Sequence, residues 1–154
     1  MNNNEVIAIL DGLIETCKTG REEFRNAAES IQNSEFRRLF NIFSQQRVQF
    51  ISELKSEVHR LGGDSVVEAG SEAEATAPLP SNTIPFRNPA AAKTTMRDEA
   101  GIISECQHEE EAAVNDYQEA LKADLPLDVQ YVVKRQYMDI KDAYDRIRIL
   151  QRAA

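Results

Sequence analysis

Apolar residues recur every three or four positions through four long stretches of this chain, and nowhere do they alternate as a half-buried strand requires. The first stretch carries Val6, Leu10, Leu13, Cys17, Phe24, Ala28 and Ile31, and the second Phe36, Phe40, Phe43, Phe50, Leu54, Val58 and Leu61. The third carries Ile102, Cys106, Ala113, Tyr117 and Ala120, and the fourth Val129, Val133, Ile140, Ala143, Ile147 and Leu150. That spacing places each set on one side of a helix, so four amphipathic helices are predicted over about 4–32, 34–61, 96–122 and 126–152. Asn3 or Asn4 and Ser34 are expected to cap the first two, and Gly62-Gly63 offers a left-handed stop. Thr95 with Asp98 three residues on resembles a capping box, and Pro126 suits a first turn.

Helices of that length span roughly 40 Å each, and a single apolar stripe on each demands partners along its whole length. The short joins near Asn33 and Ala123 force two antiparallel hairpins. Between the hairpins, residues 62–95 hold four of the five prolines and read as an irregular linker in which Ile84-Pro85-Phe86 could press on the bundle. About 32 residues can reach ~100 Å when extended, enough to run the bundle from end to end. The prediction is all-α: one domain over 1–154, an antiparallel four-helix bundle of two hairpins with the long crossover that marks ferritin-like bundles. A constant offset of 89 residues carries Ile14 to Ile103, Cys17 to Cys106, Glu53 to Asp142, Val58 to Ile147 and Leu61 to Leu150, the pattern of a duplicated hairpin packing as a two-fold mate.

The net charge of −8 argues against nucleic acid and against anionic membranes, both of which need basic stripes. No apolar run approaches the ~18 residues of a membrane span, and Met1-Asn2-Asn3-Asn4-Glu5 lacks the positive region of a secretory signal. Two cysteines are too few for a disulfide scaffold, so a cytoplasmic setting is expected.

The run Leu13-Ile14-Glu15-Thr16-Cys17-Lys18-Thr19-Gly20, followed by Phe24-Arg25 and Ala27-Ala28-Glu29, resembles the first helix of an uncharacterised bacterial four-helix-bundle family in the ferritin-like superfamily. Leu61-Gly62-Gly63, Glu105-Cys106 and Tyr117-Gln118-Glu119-Ala120-Leu121 are similar to its later landmarks. Gln107-His108 departs from the acidic-basic-glycine run expected after Glu105-Cys106. The resemblance implies a ferritin-like fold in a stress-type bacterial protein and no settled activity.

Ferritin-like di-metal enzymes place one Glu on each of two helices and a Glu-x-x-His pair on each of the other two. Here His59 has Ser56 three residues before it, and His108 follows Glu105 but projects away from the Cys106 face. Instead, Arg21, Arg47, Glu110 and Gln136 fall on the inward faces at one height, about 13 residues from the turn of their hairpins. These four, with Tyr117, are predicted to form a polar layer in which a guanidinium stands where a metal would, Gln136 and the Tyr117 hydroxyl taking the remaining hydrogen bonds. The competing arrangement has the arginines snorkelling to the surface with Glu110 pairing there.

Cys17 and Cys106 face inward on opposite sides of the layer, ~12 Å apart along the axis, and are expected as core thiols beyond disulfide reach; thiol redox sensing is a weaker option. Ile42, Val48 and Tyr131 project outward, with Ile51 and Tyr137 near the core edge, as a candidate dimer surface. The function expected is a non-enzymatic bundle without a cofactor, acting by protein contact or self-association, with no nucleic acid or membrane partner. The alternative is a metal-binding oxidoreductase or iron-handling protein that uses Glu109, Glu110 and Asp139, with Tyr117, Gln136 and water nearby, to hold iron or manganese.

Overall fold

The computed structural model describes residues 2–63 and 99–153, and among these the chain forms four helices. They are α1 (Asn3–Ser30), α2 (Ser34–Arg60), α3 (Glu99–Leu121) and α4 (Leu127–Ala153). The periodicity leads to expected spans of about 4–32, 34–61, 96–122 and 126–152, and the first two caps lie one residue earlier than expected. Asn2, rather than Asn3 or Asn4, opens α1: its side chain accepts from the Glu5 amide at 2.9 Å while Glu5 Oε1 accepts from the Asn2 amide. Asn33, rather than Ser34, opens α2 by accepting from the Glu35 and Phe36 amides. In both cases the earlier asparagine has the extended backbone that a cap requires. Gly62 closes α2 at φ +86°, a conformation that glycine adopts without penalty. The linker positions 64–95, including Ile84-Pro85-Phe86, and the Thr95–Asp98 capping box lie outside the described residues.

The apolar stripes meet in two clusters. One joins the N-terminal half of α1, the C-terminal halves of α2 and α3 and the start of α4, around Leu10, Leu54, Tyr117 and Val133. The other gathers Phe24, Phe40, Phe43, Ile103, Cys106 and Ile147 at the opposite end. There Phe24 packs against Phe40 and Phe43 at ring-centroid distances of 6.0 and 5.3 Å. Each of these buried side chains contributes roughly 1.5–3 kcal/mol.

The membership of the clusters fixes the topology. α1 packs against α2 and α3, and α4 against α3 and α2, every neighbouring pair antiparallel. α2 and α3 therefore lie across the diagonal and run parallel, so Gly63 and Glu99 stand at opposite ends of the bundle. That is the connectivity a long crossover serves. Cys17 and Cys106 fall in different clusters, both buried and both free, as the 89-residue offset requires. No described helix is long and apolar enough to cross a membrane.

Candidate functional site

Between the two clusters lie the buried polar side chains Arg47, Glu110 and Gln136, with Ser44 at the margin. Arg47 and Glu110 are each 1% exposed and form a bidentate pair across the diagonal. Nη1 donates to Glu110 Oε1 at 3.0 Å and Nη2 donates to Oε2. Burial pushes the Glu110 carboxyl above the ordinary carboxylate range, and the charge and hydrogen bonds of Arg47 pull it part of the way back. The guanidinium also lies over Phe24, 5.1 Å from the ring centroid, and Phe50, at 5.9 Å. Its Nε makes no hydrogen bond.

Gly20 makes room for this side chain. A Cβ there would stand 3.1 Å from Arg47 Nη1 and 3.6 Å from Cγ. The glycine is fully inside the helix yet buried, so its task is clearance. The guanidinium takes the volume that a side chain on α1 would fill.

Beside the pair runs a second chain of hydrogen bonds. Tyr117 donates its hydroxyl proton to Gln136 Oε1 at 2.7 Å. Because that proton is committed, the Cys17 thiol, 3.1 Å from the Tyr117 hydroxyl oxygen, is the donor to that oxygen. Gln136 Nε2 donates to Glu53 Oε1 at 2.9 Å and to the Phe50 carbonyl at 3.3 Å. Glu53 in turn takes Arg135 Nη2 at 3.0 Å, which carries the chain out to solvent. Burial drives the Cys17 thiol up to about 11 and the Tyr117 phenol well above its usual value, and the Cys106 thiol is raised further still. All three hold their protons at neutral pH.

The structure therefore brings together four of the five residues expected in the layer, in two networks instead of one. Gln136 and Tyr117 satisfy each other, and not the Arg47–Glu110 pair. Arg21 does not join: its side chain is partly exposed, with Nε 3.4 Å from Glu22 Oε2, and only its carbonyl contributes, accepting from Ser44 Oγ at 3.1 Å. The reason is the lean of helical side chains toward their own N-terminus. α2 and α3 run parallel, so Arg47 and Glu110 lean the same way and meet. α1 runs opposite to α3, so Arg21 leans away from Glu110. Tyr117 and Gln136, on antiparallel helices, lean toward each other. Glu53 and Gly20 were not anticipated, and Gly20 could have been found from an inward glycine facing the height of Arg47.

The metal-ligand alternative finds no cluster. Glu110 is engaged by Arg47, Glu109 lines an outer groove between α1 and α3, and Asp139 is partly exposed on α4. His59, His108 and Glu105 are exposed. Among the described residues no three His, Cys, Asp or Glu side chains are grouped to hold an ion. The donors at the centre are one carboxylate already bidentate to a guanidinium, an amide, a phenol and a thiol that keep their protons. This set does not fit the di-metal centre associated with ferritin-like folds.

A four-helix bundle of this connectivity has the fold of ferritin-like domains. It superposes on a two-domain protein from Anabaena variabilis containing DJ-1/ThiJ/PfpI-like and ferritin-like domains, with a TM-score of 0.76 and 14% identity. The match covers 99% of this chain and 37% of that one, so this chain spans well under half of its structural neighbour. The chain belongs to the family described as "Domain of unknown function (DUF2383)", whose pattern matches residues 5–123. No curated protein matches it.

Proposed function

We propose that this ferritin-like domain is a non-enzymatic, cytoplasmic protein–protein contact or self-association module, with its centre given over to holding the fold. The observation that carries this reading is the Arg47–Glu110 pair: a guanidinium satisfies both oxygens of the one carboxylate buried in the layer among the described residues. Matched in this way, the guanidinium takes one lone pair on each carboxylate oxygen and already neutralises the charge that a cation would otherwise have to balance. The groups left to interact with other molecules are on the outer faces.

The test is metal analysis by inductively coupled plasma mass spectrometry on protein produced with iron and manganese supplied in excess. Metal well below one equivalent is expected, unchanged in Glu110→Gln. Stoichiometric metal that is lost in Glu110→Gln refutes the reading and restores the carboxylate centre.

A further inference from the structure

Charge is divided between the two sides of the bundle. α1 and α3, neighbours on one side, carry thirteen acidic residues against three Lys or Arg; α3 alone has seven against none. α2 and α4, on the other side, carry seven acidic residues against eleven Lys or Arg. Among the acids on the first side, Glu110 is neutralised inside by Arg47.

The basic side also has an unpartnered apolar stripe. Leu127, Tyr131, Met138 and Ile149 of α4 are 81, 70, 62 and 62% exposed. Their separations of 4, 7 and 11 residues keep them within about 40° of one line, on the side of α4 opposite Val129, Val133, Ile140 and Ile147. This is a second hydrophobic face on a helix whose first is already buried. Lys134 and Lys141, both exposed, flank it seven residues apart.

The acidic side has the complementary shape. The seam between α1 and α3 is an open groove floored by Gly12, Leu13, Thr16, Ala113 and Ala120, with nothing within 4 Å of where a Cβ on Gly12 would lie. Glu109 and Asp116 stand on its α3 wall, again seven residues apart. Lys18 partly offsets Glu15 and Lys122 partly offsets Glu119, whereas Asp116 receives only the neutral hydroxyl of Thr16, at 2.8 Å. Seven residues of helix are ~10.5 Å. The Tyr131–Met138 and Lys134–Lys141 spacings on one surface thus match the Glu109–Asp116 spacing on the other.

We propose that the occupant of the α1–α3 groove is α4 of a second copy of this chain, Tyr131 and Met138 seated on the small residues and Lys134 and Lys141 against Glu109 and Asp116. The proposal deepens the self-association reading above and rests on it. The two surfaces are different patches on one molecule, so the contact is heterologous and every copy keeps one free groove and one free stripe. It builds rings or filaments and does not stop at a dimer.

Sedimentation velocity between 5 and 200 µM tests this. At 0.1 M salt, where the Debye length is ~10 Å and the mutual repulsion of two −8 molecules is largely screened, species larger than a dimer are expected. At 1 M salt the ion pairs are screened too, and at least tenfold weaker association is expected. Lys134→Glu with Lys141→Glu, and separately Glu109→Lys with Asp116→Lys, should each leave monomers, with circular dichroism reporting the intact fold. Mixing the two double variants should restore alternating assembly, because each then presents the charge the other lacks. A wild-type monomer throughout, a closed dimer, or variants whose mixture stays monomeric overturns the proposal, and the salt series on wild type decides it even where a variant does not fold. The metal content of the same samples shows whether the underlying reading falls too: metal-free monomers sink only this contact, whereas stoichiometrically loaded ones sink both.

Discussion

Replacing Arg47 with alanine strands Glu110, and the structure sets the size of the effect. Both partners are 1% exposed and bonded in bidentate fashion, so the loss cannot be made good by water as it would be at a surface. Breaking a buried pair from one side costs about 3–5 kcal/mol, at least a fifth of the ~5–15 kcal/mol that holds a typical domain together. For a chain of this length that is roughly 6–20 °C in Tm. The pH dependence gives a second handle. Arg47 lowers the Glu110 carboxyl against a larger upward push from burial, so removing Arg47 raises it further. A carboxyl raised in the folded state binds its proton more readily folded than unfolded. Its stabilising contribution is complete below the unfolded value and is lost as pH rises through the folded one. Urea denaturation of wild type and Arg47→Ala at pH 5 and pH 8 should therefore show the larger deficit at pH 8. By contrast, Arg47→Met with Glu110→Leu, which removes both charges, should be near neutral or stabilising. A deficit for Arg47→Ala below about 1 kcal/mol, equal at both pH values, would refute the buried-pair account, since that is the size of an exposed ion pair.

The two helical glycines of α1 should respond differently to alanine. Gly12→Ala, in open space, should gain about 0.8–1 kcal/mol from helix propensity, while Gly20→Ala should gain less or lose, and should recover the full gain when Arg47 is methionine; thermal melts of the four variants check this. Tyr117→Phe removes the proton that Gln136 accepts and the acceptor for the Cys17 thiol, and should cost about 1–3 kcal/mol by chemical denaturation. Native protein at pH 8 should resist iodoacetamide at both cysteines, because burial blocks access and holds both thiols protonated. Mass spectrometry should find two adducts only after unfolding, and rapid native labelling would contradict that environment.

The periodicity of Phe40, Phe43, Phe50 and Leu54, and its equivalents elsewhere, was enough to place the helices and their inward faces, because a 3.6-residue repeat admits one buried side. Arg47, Glu110 and Gln136 could be located for the same reason. Which of them would touch was harder to read. Comparing Cα heights treats side chains as if they projected straight inward, whereas the lean of each one along its helix depends on whether partner helices run parallel or antiparallel. That is why Arg21, correct in height, turned to the surface, and why Gln136 found Tyr117. Glu53 was hidden by its place at the edge of the α2 stripe, within reach of both Gln136 and Arg135. Among outward residues, Ile42, Val48 and Tyr131 were recognisable singly, while Ile51 proved buried and Tyr137 partly so, its hydroxyl accepting from Gln118. The stripe through Leu127, Met138 and Ile149 emerges only once α4's core face has been fixed.

The salt bridge that spans the diagonal also settles a question of alignment. The turns at Asn33 and Ala123 each lie within one hairpin, so neither stops the two hairpins from slipping along each other by a helical turn. Greasy stripes of leucine, isoleucine and alanine resist such a slip only weakly, since one ridge resembles the next. A one-turn shift of about 5.4 Å would leave Arg47 and Glu110 each facing hydrocarbon. The pair thus works as a latch with a single notch, and a bundle relieved of it could be sturdier yet less certain of its own register.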